Sequence, residues 1–545
     1  MTLVFPTLLL ATMLVPLGLL AAMAWPGPRA RMPFLLALAP LPGLAAALLA
    51  GGQPPLVLYA DWLRLSFTLD GPAALLLGVA ALLWSAAGHY TGAYLGAKPG
   101  GARFAGWWLI TMAGSLGVFI AGDLVTFYLA FALVSLAAYG MVVHDRTDAA
   151  RRAGSVYLLL AVVGEICLLM AFALLAANLP SSTLAIADAV AALAHSPWRD
   201  ATVLLLIMGF GLKAGLVPLH VWLPLAHPAA PMPASAVLSG AIIKAGIIGL
   251  IRFLPADGGL ESWGMVLGVM GFVTAFYGVA LGITQPNPKT VLAYSSVSQM
   301  GVVMAALGLG FAAGDATAPM AGAFYAAHHV LAKGALFLGV GVALAIGPRR
   351  LGWVMLPVLF LVLSFGGLPL TGGGLAKAAT KGQLGEGLAG LLAAFSAAGT
   401  TMLMLHFAGR LRALAMAQAP GSVVPGMALP FAVMVLAALA LPWALYPGDI
   451  GEALSLKAFL AAIWPVALGA LGAAALRRWG GGLPAVPQGD VLVFAERGFT
   501  AAAGPLALAA DDVERRLRTW PSAGLALLGL AVALAAAMVL AGERP

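Results

Sequence analysis

Charged side chains are scarce in this sequence. Of 545 residues, 28 are lysine or arginine and 20 are aspartate or glutamate, which leaves charged residues at 9% and hydrophobic residues at 62%. An ordinary soluble domain has roughly 25% charged residues, and they form its hydrated surface. The composition therefore excludes a soluble globular protein, and we predict an all-α polytopic membrane protein instead.

Cysteine is almost absent as well. A single residue, Cys167, lies within an apolar run, and one thiol forms no disulfide, zinc ribbon or cysteine-ligated iron–sulfur cluster within the chain. The histidines lack the His-x-x-Glu and His-Glu-x-x-His spacings of metal sites, and no glycine-rich phosphate loop follows a strand. We therefore expect no cofactor and no metal site in this chain, and we expect any redox centre to belong to another subunit.

Apolar runs of membrane-spanning length recur from one end of the sequence to the other. A bilayer core about 30 Å thick requires about 20 apolar residues per helix. The candidate spans are sixteen runs at 4–24, 33–51, 72–94, 105–121, 123–143, 154–178, 201–222, 233–254, 264–284, 290–312, 318–346, 354–383, 387–410, 427–447, 455–476 and 522–541. The first run lacks the basic segment of a signal peptide, so we predict that it stays as the first of fourteen to sixteen transmembrane helices.

Basic residues are concentrated in alternate connections between these runs. Numbered from the N-terminus, the odd connections hold Arg29, Arg31, Lys98, Arg103, Arg146, Arg151, Arg152, Lys289, Arg349, Arg350, Arg410, Arg412, Arg477 and Arg478. The even connections hold little beyond Arg64 and Arg199. Because positive residues favour the cytoplasmic side, we place the odd connections in the cytoplasm and the N-terminus outside, in a bacterial inner membrane. The net charge of +8 is explained in this way and gives no support for nucleic-acid binding.

Two apolar runs contain clusters of glycine and proline beside a lysine. They are GLKAGLVPLHVWLP around Lys213 and SFGGLPLTGGGLAKAATKGQ around Lys377. Paired helix breaks in corresponding halves point to the ion site of a transporter, because unwound backbone can line a cavity there. We predict two five-helix repeats with discontinuous helices, and the second repeat is inverted because five spans reverse the direction of the chain.

The predicted domain organisation follows from this repeat. The segments are the N-terminal transmembrane helices in 1–104, the first five-helix repeat in 105–254, the inverted second repeat in 264–410, the C-terminal transmembrane helices in 427–476, and an amphipathic segment with a final transmembrane helix in 477–545. The amphipathic pattern sets Leu506, Val513, Leu517 and Trp520 on a helical face opposite Asp512, Glu514, Arg515 and Arg518. This pattern is typical of an interfacial helix, and the alternative is a simple tether to the final span.

Four of the eight lysines fall inside apolar spans. These are Lys213, Lys244, Lys333 and Lys377, whereas Lys381 is close enough to the end of a span to snorkel to the interface. A charge at mid-bilayer costs at least about 2.5 to 3.5 kcal/mol on insertion scales, so such side chains face a bundle interior or a water-filled path. We predict that the four lysines line an ion-conducting path.

Histidines, which can exchange protons near neutral pH, accompany these lysines. His220 follows Lys213 by seven residues, and His329 precedes Lys333 by four, which places the last two on one helix face. We predict that His329 and Lys333 relay protons. His328 points elsewhere on the same helix, where it either joins the proton pathway or makes a hydrogen bond within the bundle.

Several strings resemble, in their order, the antiporter-like subunits of respiratory complex I and their relatives in Mrp-type cation/proton antiporters and membrane-bound hydrogenases. The strings are AGDLVTFYLAFALVSLAAYGMV, GLKAGLVPLHVWLPLAHPAAPMPASAVLSGAIIKAGIIGLIR, TQPNPKTVLAYSSVSQMG, HHVLAKGALFLGVG and GGLPLTGGGLAK. The resemblance covers most of the chain. It implies a fourteen-helix core of two inverted five-helix repeats, with a central hydrated axis of lysines and histidines that moves protons.

The resemblance also implies roles for individual residues. Lys213 corresponds to the lysine of the broken seventh helix and Lys244 to the eighth-helix lysine. His329 and Lys333 correspond to the eleventh-helix pair, and Lys377 to the residue of the broken twelfth helix. A lysine at 377 in place of a glutamate resembles the distal antiporter-like protein of complex I and its hydrogenase counterparts, and the C-terminal segment resembles a short form of that protein's lateral extension.

One position departs from the family pattern. The family has a glutamate in the fifth helix that pairs with the seventh-helix lysine, and the string FYLAFALVSL places Ala132 there. Glu165 lies deep inside the next span, about as far from the intervening loop as Ala132. We hypothesise that Glu165 replaces the missing partner of Lys213, and the alternative is a protonated Glu165 that only packs.

These observations predict a proton-translocating, non-redox subunit of a multisubunit membrane complex, with other membrane subunits as its partners. Three alternatives stay open. The first is the transport component of a sodium or potassium/proton antiporter. The second is a membrane partner that powers a cytoplasmic protein, as in inorganic-carbon uptake, and the third is a structural subunit without conduction, which Ala132 favours.

Overall fold

The computed structural model describes residues 4–493 apart from 61–62, 97–99, 180–182, 257, 483, 485 and 490. The chain divides into a unit that ends at Gln488 and a second unit that begins at Gly489. Nearly all described residues belong to the first unit. The amphipathic face predicted at 506–520 and the final span predicted at 522–541 lie outside the described residues.

Helices account for most of the described chain. The elements of its first part are α1 (Val4–Ala22), α2 (Pro26–Leu38), α3 (Leu41–Leu48), β1 (Leu56–Ala60), β2 (Leu63–Phe67), α4 (Gly71–Leu95), α5 (Gly101–Ile120), α6 (Leu124–Val142), α7 (Asp148–Ala176), α8 (Ile186–Leu193) and α9 (Arg199–Ala214). The elements that follow are α10 (Trp222–Ala229), α11 (Met232–Val237), α12 (Lys244–Phe253), α13 (Glu261–Gly282), α14 (Pro288–Ala312), α15 (Ala318–Ile346), α16 (Leu351–Gly366), α17 (Gly372–Ala379), α18 (Lys381–Leu384), α19 (Leu388–Met416), α20 (Pro425–Ala444), α21 (Ile450–Ala453) and α22 (Leu456–Trp479). A π-helical turn, Leu238–Ile242, lies between α11 and α12.

Thirteen helices of the described residues are long and apolar enough to cross a membrane. This confirms an all-α polytopic membrane protein. The predicted run 201–222 is interrupted, as expected, and the run 33–51 is interrupted as well, which was not predicted. In the second case α2 ends at Leu38 and α3 starts at Leu41, because Pro40 has no N–H for a helical hydrogen bond.

The two breaks predicted beside Lys213 and Lys377 are present and have the same backbone geometry. Gly215 ends α9 with φ 92° and ψ 33°, and Gly367 ends α16 with φ 93° and ψ 30°. Such left-handed conformations favour glycine, which has no Cβ to clash. Each broken helix then resumes after a short irregular segment. The repeat boundaries at 105–254 and 264–410 stay a prediction.

A β-hairpin is the main element that the sequence analysis missed. Strands β1 and β2 pair antiparallel, with Leu56 opposite Phe67. An isolated antiparallel β-bridge joins Phe67, at the end of β2, to Ala121, directly after α5. The alternating pattern Leu-Arg-Leu-Ser-Phe was the available signal, since one-residue alternation is typical of a strand.

Hydrogen bonds between loops test the predicted alternation of the spans. We call the surface formed by the odd connections the odd face and that formed by the even connections the even face. On the odd face, Arg103 donates to the carbonyl of His144 at 3.0 Å, which joins the third and fifth connections. Arg410 donates to the carbonyl of Pro286 at 2.9 Å, which joins the thirteenth and ninth.

The even connections meet in the same way. The N–H of Gly122 donates to the carbonyl of Ser66 at 2.7 Å, which joins the fourth and second connections. The side-chain amide of Gln383 donates to Asp315 at 2.7 Å, which joins the twelfth and tenth. In these four hydrogen bonds, odd connections meet odd ones and even connections meet even ones, as expected for a chain that crosses the membrane between successive connections.

The helices differ in how closely they pack and in how deeply they are buried. Helices α13 and α14 approach through small residues, and a Cβ added at Gly271 would lie 2.4 Å from the backbone nitrogen of Ala305. Small residues of this kind let membrane helices bring their backbones together. The most apolar windows of α11–α12 and α14 are wholly buried, whereas α1 and α22 are mostly exposed on the periphery. Lys244 lies on the first of these wholly buried segments, at the start of α12.

Candidate functional site

Lys213 lies at the end of α9, two residues before the first helix break. Its buried side chain donates a hydrogen bond from Nζ to the hydroxyl of Tyr157 at 3.2 Å. The same Nζ lies 5.5 Å from the centroid of the Tyr157 ring and 5.8 Å from that of Phe131. The Tyr157 hydroxyl donates in turn to the carbonyl of Ser135 at 2.6 Å. Aromatic faces and a neutral hydroxyl thus surround the ammonium group.

Glu165 is buried on α7, two turns after Tyr157. Its neighbour Gly164 packs against the end of α9, since a Cβ added there would lie 3.6 Å from Leu212. Glu165 is within electrostatic range of Lys213. The hydroxyl of Ser135 faces the carboxylate, but no direct hydrogen bond joins Glu165 to Lys213, so the two groups are near neighbours without one.

Lys244 and His329 make the most direct contact between two predicted site residues. Lys244 begins α12 directly after the π-helical turn, and its Nζ lies 2.8 Å from Nδ1 of His329 on α15. The Nζ also donates to the carbonyl of Ser239 at 3.3 Å. Both side chains are fully buried. Nε2 of His329 has no hydrogen-bond partner among the described residues.

Lys333 is also fully buried, one turn further along α15. Its Nζ donates to the carbonyl of Leu292 at 2.7 Å and to the hydroxyl of Ser295, both on α14. The Nζ lies 5.3 Å from the ring centroid of Phe365. The predicted His329–Lys333 pair shares a helix, as expected, but each member makes its hydrogen bonds to a different neighbouring helix.

His328 is hydrogen-bonded at the second helix break. Its Nε2 lies 3.2 Å from the hydroxyl oxygen of Ser364, near the end of α16. The N–H of Gly373 donates to the same oxygen at 3.1 Å. His328 is therefore linked through Ser364 to both sides of the break. It makes the hydrogen bond within the bundle that was one of its two predicted roles, and its place in the proton pathway stays a prediction.

Lys377 lies after the second break, on α17. Its alkyl chain packs so closely against Gly367 that an added Cβ there would lie 2.5 Å from Cδ of the lysine. Its Nζ lies 5.9 Å from the ring centroid of Tyr325. The Tyr325 hydroxyl donates to the side-chain oxygen of Gln299 at 2.9 Å, and the amide of Gln299 donates to Thr400 at 3.0 Å. Lys377 thus lies beside a buried hydrogen-bond network that joins α15, α14 and α19.

His220 lies in the irregular segment after the first break and is fully buried. Its ring centroid is 4.9 Å from that of Tyr277 in an edge arrangement. The ring of Tyr294 follows at 6.3 Å. These aromatic neighbours fix the imidazole between α13 and α14. Its predicted role in the proton pathway stays a prediction.

Two buried basic residues next to this group were missed. His227 on α10 is fully buried, although the surrounding string LAHPAAP had the composition of a connection. Lys289 was assigned to a loop but is buried at the start of α14, where its Nζ donates to the carbonyls of Pro228 and Ala230 at 3.3 and 2.5 Å. The available signal was a histidine within the apolar segment that follows the first break.

The structure therefore assembles most of the predicted residues at the centre of the bundle. Lys244, His329 and Lys333 lie on adjoining helices, and Lys213 and Lys377 lie at the two breaks. Among the described residues, no group of three or more histidine, cysteine, aspartate or glutamate side chains could hold a metal ion. The chemistry available to this group of side chains is proton exchange between amines, imidazoles and one carboxylic acid.

Comparison with known proteins gives the family. The family model described as NADH:quinone oxidoreductase/Mrp antiporter, transmembrane, matches residues 121–405. The chain is 32% identical over 312 residues to Hydrogenase-4 component B of Escherichia coli (strain K12), a match to 55% of this chain and 45% of that protein. It is 30% identical over 345 residues to a Na(+)/H(+) antiporter subunit of Staphylococcus haemolyticus (strain JCSC1435), a match to 59% of this chain and 42% of that protein. The matches span less than half of either relative's length.

Two solved structures share the fold. The structure of the Mrp complex from Dietzia sp. DQ12-45-1b has 24% sequence identity and a TM-score of 0.69, with 99% of this chain and 63% of that chain covered. The membrane-bound sulfane sulfur reductase, an archaeal respiratory membrane complex, has 20% identity and a TM-score of 0.70, with 97% and 99% covered. At these identities the likeness is one of fold.

The family match includes both helix breaks and most of the buried basic residues. It starts at the end of α5 and ends within α19, so that Lys213, Lys244, Lys333 and Lys377 all fall inside it. The resemblance inferred from the motifs is confirmed by this match. Because the family model covers more than half of the sequence, this chain belongs to the NADH:quinone oxidoreductase/Mrp antiporter family of transmembrane, antiporter-like proteins.

Proposed function

We propose that this protein translocates protons as an antiporter-like subunit of a multisubunit membrane complex. The observation that supports this best is the 2.8 Å contact between the fully buried side chains of Lys244 and His329. Two basic groups at that distance share one proton, because a second proton would bring two positive charges together in a region with little water. A shared proton is one that a change in a neighbouring charge can move.

The proposed pathway consists of Lys213, Lys244, His329, Lys333 and Lys377, with His220 and His328 beside them. A positive charge that arrives at one lysine makes the next one release its proton more readily, and the effect passes along the axis. The partners that we propose are other membrane subunits of one complex. The basic residues of the odd connections support an orientation with the odd face in the cytoplasm, the N-terminus outside, and a bacterial inner membrane as the location.

Proton flux in vesicles that contain the native complex tests this proposal. Lys213→Ala, Lys333→Ala and Lys377→Ala should each abolish flux through the complex that assembles. Lys381→Ala is the matched control, because Lys381 is exposed at the start of α18. Flux that persists in the three variants would leave the protein as a structural component without conduction.

We propose further that Glu165 supplies the counter-charge that Ala132 cannot supply to Lys213. Their electrostatic proximity and the burial of both side chains support this role. Glu165→Gln should lower flux, and Ala132→Glu added to that variant should restore it. Leu129→Glu serves as the control, since Leu129 is one turn away and 52% exposed. Unchanged flux in Glu165→Gln would leave Glu165 as a packed, protonated acid.

A second candidate function is cation/proton antiport. Relatives with names that give sodium or potassium, including a probable K(+)/H(+) antiporter component of Rhizobium meliloti (strain 1021), support it. Purification of the native complex separates the candidates. Quinone or hydrogenase subunits would favour redox coupling, small Mrp-like subunits would favour antiport, and one large zinc protein would favour carbon uptake.

A further inference from the structure

A cavity opens on the odd face away from the buried lysines. It has a volume of about 490 Å³ and is formed by the ninth connection, the C-terminal part of α19 and the end of α22. Small-molecule sites of proteins have volumes of roughly 300 to 1,000 Å³. The lysines and histidines of the proposed pathway are not among the residues that line it, so the proposed function does not use this cavity.

The polar wall of the cavity is basic. Arg410, on α19, and Arg477, in the last turn of α22, both line it, and His406 lines it one turn before Arg410. None of the lining residues that the structure describes is acidic. Among the described residues, the ion pairs between an arginine and a carboxylate belong to Arg151 and Arg252. The charge of the cavity therefore calls for a negative group from outside the chain.

Hydrogen bonds to the ninth connection hold two of these side chains in place. Nε of Arg410 donates to the carbonyl of Pro286 at 2.9 Å, and Nε2 of His406 lies 3.0 Å from the carbonyl oxygen of Gln285. A guanidinium has further N–H groups on its terminal nitrogens, which the bond at Nε leaves for a ligand. Arg410 is thus positioned before a ligand arrives, and this lowers the entropy cost of binding.

The cavity lies where three membrane helices reach the odd face. Helices α13, α19 and α22 are all long and apolar enough to cross a membrane, and α22 is mostly exposed on the periphery. Ile283, Leu405 and Leu476 form an apolar wall of the cavity. Trp479, at the end of α22, is 77% exposed, and tryptophan is enriched where membrane helices meet the headgroup region. Hydrocarbon chains can therefore reach the apolar wall from the bilayer.

We propose that this cavity binds the headgroup of an anionic phospholipid, with the phosphate between Arg410 and Arg477 and the acyl chains along α22. Arginine binds phosphate oxygens through parallel N–H bonds and stays charged in proteins. Basic pockets between transmembrane helices bind acidic headgroups on the cytoplasmic side, which is the side on which we place the odd face. The site is separate from the buried lysine axis, so its failure would leave the proposed function untouched.

Membrane orientation alone explains these residues less well. The positive-inside rule accounts for any basic residue of an odd connection, and Arg412 and Arg478 satisfy it as well as Arg410 and Arg477 do. Arg412 and Arg478 are exposed and do not line the cavity. Orientation requires neither a cavity nor an arginine anchored to a carbonyl. An acidic segment of a partner subunit would match the charge, but the apolar wall open to the bilayer favours acyl chains.

Photolabelling tests the site directly. A phosphatidylglycerol with a diazirine on one acyl chain is added to the delipidated native complex in neutral detergent, and mass spectrometry identifies the labelled peptides. Labelling of peptides from α19 and α22 should saturate. Arg410→Gln combined with Arg477→Gln should raise the half-maximal concentration roughly a hundredfold, about tenfold for each charge-assisted bond. The matched control is Arg412→Gln with Arg478→Gln, which should change it less than about threefold, because salt screens charges outside the cavity.

Two single variants separate the site from effects of charge and folding. Arg477 makes no hydrogen bond among the described residues, so Arg477→Gln should raise the half-maximal concentration about tenfold and leave the ninth connection intact. Gly409→Leu keeps both arginines but fills the cavity, because Gly409 lines it and an added Cβ would meet nothing within 4 Å. This variant should abolish saturable labelling.

Competition identifies the ligand. Unlabelled phosphatidylglycerol should displace the probe. Phosphatidylcholine, which has no net charge, and inorganic phosphate, which has no acyl chains, should not displace it at the same concentration. Unchanged labelling in the variant without Arg410 and Arg477, equal competition by phosphatidylcholine, or displacement by inorganic phosphate would overturn the proposal. So would the absence of label on α19 and α22, which is the result expected if a partner subunit covers the cavity in the native complex.

Discussion

The Lys244–His329 contact allows a test of whether Lys244 carries a proton or only a charge. Lys244→Arg keeps a positive charge at the start of α12, but an arginine does not release its proton in a protein. Two unit charges 2.8 Å apart repel each other by about 6 kcal/mol at an effective dielectric constant of 20. A permanent cation there would reduce protonation of His329 by about four orders of magnitude.

Proton flux through Lys244→Arg should therefore fall to the background leak of the vesicles. Flux is measured with a pH-sensitive dye, after native electrophoresis has shown that the complex is assembled. Lys381→Arg, at an exposed position, controls for the larger side chain. Lys244→Ala should also block flux, because it removes the carrier. Flux near the wild-type rate in Lys244→Arg would refute the argument, since it would show that this site need not release a proton.

Three further predictions concern the packing and the loops. Gly271→Ala should destabilise the α13–α14 contact by about 1 to 3 kcal/mol, because its Cβ would lie 2.4 Å from a backbone nitrogen; thermal unfolding in detergent measures this, and Gly18→Ala, which has nothing within 4 Å, should change little. Arg252→Gln should cost about 1.5 to 3 kcal/mol, because the guanidinium donates to the carbonyls of Phe119 and Ala121 at the end of α5; an unchanged unfolding midpoint would contradict this. Partial burial raises the pKa of Asp315, but hydrogen bonds from Thr317 and from a glutamine of α18 outweigh it and bring the pKa below its ordinary value. Its contribution to stability is therefore present above about pH 3.9 and is lost below it, and Asp315→Asn should remove that part of the acid dependence of unfolding.

The helices and the breaks were predictable because their signals are local. An apolar run of about 20 residues has few alternatives to a membrane helix. A left-handed turn such as that at Gly215 needs a glycine, and the sequence shows it directly. The break between α2 and α3 was missed because prolines inside an apolar run, here Pro40 and Pro42, are tolerated in membrane helices. Their effect depends on whether neighbouring groups satisfy the freed backbone.

The hydrogen-bond partners of the buried lysines were not predictable from the spacing of residues along the sequence. A separation of four residues places His329 and Lys333 on one face, but it says nothing about the helices opposite. The folded chain brings Lys244 to His329, 85 positions away in sequence, and Ser295 to Lys333. These contacts depend on the tertiary packing of α12, α14 and α15. For the same reason His227 and Lys289 were assigned to connections, although the fold buries them.

The two breaks share a backbone geometry but place their charges differently, and this difference has a measurable consequence. Lys213 precedes Gly215 by two residues, whereas Phe365 holds the same place before Gly367, and Lys377 follows that break. Among the described residues, the acidic side chains classed as buried are Glu165, near Lys213, and Asp123, a helix cap on the even face. Removal of Lys213 therefore leaves a buried carboxylate that must take up a proton or remain uncompensated, whereas removal of Lys377 leaves none. We expect Lys213→Ala to lower the yield of assembled complex relative to Lys377→Ala, and Glu165→Gln to restore that yield without restoring flux. Equal yields of the two lysine variants would show that Glu165 is already protonated.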